Sequence, residues 1–252
     1  MFTRRHLTNE LKNFALAPTF YVFVLGILVM MFAVFFPFVT EKAKEELEIL
    51  SGDTLGFAYA RVFAGRLGDL ILFLPCFAVS TAAVRDKEAR KRGGTVLRDG
   101  LDPVGAVLVR FFAELILLFI PLFLACFYMF STNAGRGVPG SYTFLTTLFF
   151  FVLPALLFEV ALSLAATEWT GVCVPGILLS LVVWVFSLGS TAGTGDYNSC
   201  IAVRHTELGA FNDYNSNLTT LLINRLVVTL LAAILLFAAV KGNEFRRKAN
   251  RP

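Results

Sequence analysis

Long apolar stretches alternate with short polar ones along this chain, and those at 20–39, 57–84, 104–130, 144–166, 172–190 and 218–240 organise it. About 20 helical residues cross the ~30 Å hydrocarbon core of a bilayer, so each stretch predicts a transmembrane helix. The second reaches span length only by starting near Phe57 and carrying Arg61, Arg66 and Asp69 with it. Ahead of the first, Leu7, Leu11 and Phe14 recur at helical spacing while Arg4, Arg5, Glu10 and Lys12 take the other faces, which predicts an amphipathic interfacial helix over 3–16. Pro18 then permits a sharp turn into the membrane. The predicted fold class is an all-α polytopic membrane protein, with one transmembrane domain over 1–252 made of the interfacial helix and six transmembrane helices.

Composition excludes an ordinary soluble domain: 57% of residues are hydrophobic, 16% are charged, and 27 are Phe. The distribution of charge then orients the spans. Arg4, Arg5 and Lys12 precede the first span; Arg85, Lys87, Arg90, Lys91, Arg92 and Arg98 follow the second; Lys241, Arg246, Arg247, Lys248 and Arg251 follow the sixth. Fourteen of the 22 basic residues thereby fall on one side, which the positive-inside rule assigns to the cytosol, together with both termini. The net charge of +4 is on this reading a topological signal, and nucleic acid is not an expected partner. The first apolar run is span-length and lacks a convincing small-residue cleavage site, so it is expected to remain in the mature chain. Cys76, Cys126 and Cys173 lie within spans and Cys200 stands alone outside them, so no disulfide framework is expected.

Between the spans, 40–56 reads as an acidic, solvated extension and 131–142 as a Gly- and Pro-rich turn. Residues 191–217 are long and polar enough to fold back on the outer leaflet. On the cytosolic side, 85–103 is a basic loop, whereas only Thr167-Glu168-Trp169-Thr170-Gly171 joins the fourth span to the fifth in a tight helical hairpin. Trp169 suits the headgroup level as an interfacial anchor.

No G-x-x-x-x-G-K-[S/T] phosphate loop, H-E-x-x-H helix or G-x-S-x-G elbow occurs. With only His6 and His205, one on each side, neither a histidine-centred metal site nor a catalytic residue is assigned. Charges within the spans are conspicuous because each costs roughly 2.5–3.5 kcal/mol at a helix centre. Glu114 lies about 15 Å into the third span at 1.5 Å per residue, and Arg110 sits one turn nearer the cytosol on the same face. Glu159, about 10 Å from the cytosolic edge of the fourth span, matches Arg110 in depth, so Arg110 is expected to bridge both carboxylates. Arg225 enters the sixth span from outside, too far displaced to reach Glu159, and is expected to snorkel outward. Arg110, Glu114, Glu159 and Arg225 together outline an intramembrane polar seam, either a place where packing switches or a set of ion pairs that satisfies buried charge.

The order of these parts resembles the membrane subunit of type-2 ATP-binding-cassette exporters, the ABC-2 permease family. Glu10-Leu11-Lys12 followed by Pro18-Thr19-Phe20 is similar to that family's connecting helix and entry into the first span. Glu88, Gly94-Thr95, Leu101-Asp102-Pro103 and Arg110 resemble its stretch after the second span, and Asn224-Arg225 with Glu244-Phe245-Arg246-Arg247 its C-terminal end. The spacing from Glu88 to Gly94 is a residue longer than usual, Lys is commoner where Arg110 stands, and the starting motif of sugar-polymer exporters is not visible. The resemblance implies a multi-pass permease of the cell inner (cytoplasmic) membrane that pairs with a second permease subunit, identical or related, and with two cytosolic ATPase subunits. It implies no cofactor in this chain, since ATP and Mg would be bound by the partners, and no enzymatic activity of its own. Asp86, Lys87, Glu88, Arg90, Lys91, Arg92, Gly94 and Thr95 would form the ATPase-coupling segment, with Glu168 and Trp169 as a second contact, and 191–217 would supply external re-entrant helices. The cargo would be amphipathic or hydrophobic: a drug, peptide or lipid. Alternatives are an ion-coupled secondary transporter using Glu114 and Glu159 and, third, an intramembrane enzyme.

Overall fold

The computed structural model describes residues 4–29, 31, 74–91, 102–134, 146–191 and 214–249. Outside these lie the remainder of the first span, the first half of the second with Arg61, Arg66 and Asp69, the polar loop 40–56, Arg92, Gly94 and Thr95 of the basic loop, most of the turn at 131–142, and nearly all of the segment at 191–217.

Seven α-helices make up the described residues: α1 (Arg4–Ala15), α2 (Pro18–Val29), α3 (Leu74–Lys91), α4 (Pro103–Ala134), α5 (Leu153–Thr170), α6 (Val174–Thr191) and α7 (Tyr214–Ala249), with a π-helical stretch, Thr146–Val152, leading directly into α5. Three of the helical runs are long and apolar enough to cross a membrane: Pro103–Tyr128, Leu148–Thr170 and Leu222–Lys248. A fourth is counted if α1 and α2, bent by 67° at their junction, form one broken span. α6 is apolar over a shorter stretch, Val174–Val185. The chain is therefore a helical membrane protein.

Local chemistry explains where the helices begin and end. α4 starts at Pro103, whose ring presets φ and whose missing N–H would have no partner in a first turn. Asp102 caps it, its Oδ1 accepting from Gly105 N at 3.3 Å while its carbonyl receives Ala106 N at 3.0 Å. α5 ends at Gly171, which takes the left-handed conformation (φ 77°) and donates its N–H to the Thr167 carbonyl. Only Gly171–Cys173 then separates α5 from α6. α7 runs beyond the predicted end at 240 and finishes with Arg246, Arg247 and Lys248 in its last turn, where positive charge complements the helix dipole.

α5 is the hub. It packs on α3, α4, α6 and α7, with α7 its most extensive neighbour, and nearly every residue from Pro154 to Glu168 is buried. A helix apolar on all sides belongs inside a bundle. The outer helices are apolar outward as well: Phe112, Ile116, Ile120, Phe123 and Phe127 of α4, and Ile223, Leu226, Leu230, Ile234 and Phe237 of α7, form exposed stripes at helical spacing. Water penalises such faces, whereas lipid does not. α1 packs across α4 with Phe14 buried and Arg5 and Lys12 exposed.

Candidate functional site

Two polar nodes are built on α5, and they sit on opposite faces of it. Glu159 and Glu168 are nine residues apart, which at about 100° per residue places them about half a turn out of register.

The first node joins α4, α5 and α7. Arg110 on α4 donates through Nε to Glu114 Oε1 at 3.0 Å and through Nη1 to Glu168 Oε1 at 3.3 Å. Asn243 Nδ2 on α7 donates to the other Glu168 oxygen, Oε2, at 2.9 Å. Arg110, Glu114, Glu168 and Asn243 are all buried. Arg246 reaches back from α7 to the carbonyl oxygens of Thr167 and Glu168 in the last turn of α5, Thr167 O accepting from the Gly171 N–H as well. Trp169 completes the joint: its indole N–H donates to the Ala238 carbonyl at 2.8 Å and its ring stacks on Phe245, 5.9 Å between centroids. Gly242 makes the close approach possible, because a Cβ there would lie 2.8 Å from Trp169 Cδ1 and 3.1 Å from the Glu168 carbonyl carbon.

The expected Arg110 bridge from Glu114 to Glu159 is thus corrected: the second carboxylate is that of Glu168. The depth estimate ended the fourth span at 166, but the helix continues to Thr170, and the extra turn shifts its residues relative to α4. The i,i+4 pairing of Arg110 with Glu114 needed no knowledge of that stagger and holds. Glu168, grouped by resemblance with the partner-facing residues, is buried in this node, while Trp169 beside it remains half exposed.

The second node joins α3, α5 and α6 around Glu159, which is fully buried. Ser180 Oγ on α6 donates to Glu159 Oε2. One turn along α5, Ser163 Oγ donates to the Glu159 carbonyl at 2.8 Å. Cys76 Sγ on α3 donates to the Gly176 carbonyl at 2.9 Å, with Ser80 Oγ 3.8 Å away. A Cβ on Gly176 would stand 2.5 Å from Ser80 Oγ and 3.6 Å from the Ser163 carbonyl oxygen, so α6 meets α3 and α5 in direct contact. The other Glu159 oxygen, Oε1, is buried and has no hydrogen-bond partner.

Arg225 also departs from expectation. It is 5% exposed, so it does not snorkel outward. Helical spacing gives the reason: Arg225, Val228 and Ala232 occupy buried positions of α7, whereas Leu222, Leu226 and Leu230 take the exposed ones. Asn224 beside it is buried too.

Of the coupling segment, Asp86, Lys87, Glu88, Arg90 and Lys91 lie in α3, continuous with its apolar part. Four residues before Arg85, the Thr81 hydroxyl hydrogen-bonds Thr19 at the start of α2, at 2.8 Å. Cys76, Cys126 and Cys173 are free thiols. Among the described residues no three His, Cys, Asp or Glu side chains converge in a metal-binding arrangement.

Sequence reasoning passed over Ser80, Ser163, Ser180, Gly242, Asn243 and Cys76's polar role. The spacing of Glu159 and Glu168 was available as a signal, as was the Gly242-Asn243 pair at the close of an apolar run. No family model, curated protein or solved structure matches the chain.

Proposed function

We propose that this chain is the permease subunit of an ATP-driven exporter of the type-2 ATP-binding-cassette class, moved by separate ATPase subunits that bind the nucleotide. The observation that supports this reading best is the unbroken course of α3: a helix that packs on α5 and α6 through Cys76, Ser80 and their neighbours runs on through Asp86, Lys87, Glu88, Arg90 and Lys91. A rigid helix carries a displacement of its charged end directly into the bundle, which is what coupling to an external motor requires. The node at Glu168 ties α4, α5 and α7 together, so the movement reaches them as a body.

In this reading the chain has six spans with both termini in the cytosol, α1 lies in the inner interface of the cell's cytoplasmic membrane, and 191–217 caps the external exit. The assembly contains two ATPases and a second permease, and ATP binding closes the ATPases because it binds one state of the complex more tightly than the other. The cargo is an amphipathic or hydrophobic molecule.

The experiment is co-expression of the tagged full-length chain with candidate cassette ATPases, followed by purification of the complex and a transport assay in vesicles. Scrambling residues 86–95 is expected to abolish both ATPase capture and ATP-driven transport. Capture and transport that survive the scramble overturn the reading, as does transport by the purified chain alone.

A further inference from the structure

We propose that the Glu159 carboxyl group holds a proton in the packing described here, making the junction of α3, α5 and α6 a proton site that exchanges only when those helices part. This goes beyond the exporter reading and does not depend on which motor drives the chain.

The contrast with Glu168 carries the inference. Both acids are buried on α5, but Glu168 faces a guanidinium and a carboxamide. Around Glu159, α6 presents Ser180, α5 presents Ser163, and α3 presents Ser80 and the Cys76 thiol, the one titratable neighbour among the described residues. Among the described residues no basic side chain pairs with it. On α4, Arg110 is committed to Glu114 and Glu168; on α7, Arg225 lies eighteen residues before Asn243, the residue that meets Glu168, and Arg246 is held at the end of α5. On α3 the charged residues begin at Arg85, nine positions past Cys76, about 14 Å along the helix. An ionised carboxylate enclosed without counter-charge, and with one oxygen receiving no hydrogen bond, is strongly disfavoured against its neutral form.

A metal cation would also neutralise the carboxylate, and its oxygen ligands would be at hand. The packing argues for the smaller ion: α6 meets α3 so closely at Gly176 that a Cβ there would stand 2.5 Å from the Ser80 hydroxyl oxygen, and a sodium-sized ion needs its ligands spread around it. A proton adds no volume. Because the site is sealed by contacts of three separate helices, any motion of α3 or α6 away from α5 admits water, stabilises the carboxylate and releases the proton.

Two measurements on the full-length protein in lipid nanodiscs test this. Infrared spectra are expected to contain the carbonyl stretch of a protonated carboxylic acid at neutral pH, lost in E159Q and retained in E114Q. Unfolding followed against pH supplies the second readout. A group that keeps its proton when folded and loses it when unfolded makes the folded state bind more protons above the ordinary carboxylate range, so stability falls as pH rises, by up to about tenfold in the unfolding constant per pH unit for one proton. Wild type is expected to show this slope from just above the ordinary carboxylate range toward neutral pH, and E159Q, which mimics the neutral acid, to lose it while remaining folded. An infrared band unchanged by E159Q, or equal slopes in the two proteins, overturns the proposal. Stabilisation of wild type by sodium chloride but not by choline chloride, absent in E159Q, overturns it in favour of a metal ion.

Discussion

Glu168 and Glu159 share a helix, a residue type and near-complete burial, yet one is held by charge and the other by hydroxyl groups. The difference lies in what the neighbouring helices bring. α4 and α7 bring Arg110, Asn243 and Arg246; α3 and α6 bring thiol and hydroxyl side chains and a glycine. A buried acid is stable either with a compensated charge or with none, and this bundle uses one solution on each face of α5. The Glu168 face is cross-linked by hydrogen bonds at bundle-end helices and suits transmission of a rigid movement. The Glu159 face is close-packed through small residues and joined by neutral hydrogen bonds from Ser180 and Cys76, with no ion pair among the described residues to break.

The sharpest way to break this contrast is Arg110→Ala. It leaves two buried carboxylates facing each other without their cation, and is expected to destabilise the protein by about 3–5 kcal/mol, read from thermal unfolding in detergent. A loss below about 1 kcal/mol would mean that the node is hydrated and not a true buried ion network. Gly242→Val comes next. The added Cβ meets Trp169 and the Glu168 backbone, and overpacking of this kind costs about 1–3 kcal/mol; the paired Trp169→Ala change should recover part of it if the clash is the cause. Trp169→Phe keeps an aromatic ring against Phe245 but removes the donor to Ala238, for an expected loss of about 1 kcal/mol. Smallest of all is Glu159→Gln, expected to change stability at neutral pH by less than about 1 kcal/mol, since the carboxamide keeps the shape of a neutral acid and an acceptor for Ser180. Parallel measurement of Glu168→Gln sharpens the comparison: its loss should exceed that of Glu159→Gln because Arg110 is then left with reduced compensation.

How much of this was legible beforehand varied with the range of the interaction. Asp102-Pro103 marked the start of α4, and Gly171 the end of α5, through local backbone chemistry. The pairing of Arg110 with Glu114 followed from helical spacing. The partner of that pair on α5 did not, because a hydropathy boundary located the end of a span to within about a turn, and one turn changes which carboxylate stands at a given level. Arg225 differs from expectation for a related reason: its depth is legible in the sequence, whereas its rotation toward the buried face of α7 is set by the packing of the helix.

The sequence by itself determined that this protein is helical and membrane-embedded, where several of its helices start and stop, and which charges lie within apolar runs, since all of these rest on composition and on contacts within a few residues. Tertiary structure alone decided that Arg110 meets Glu168, that Arg246 closes the end of α5, and that Glu159 is left among Ser180, Ser163, Ser80 and Cys76. Those outcomes depend on the stagger and rotation of whole helices, which are set by the fit of small side chains such as Gly176 and Gly242 against their neighbours, and no local pattern encodes that fit.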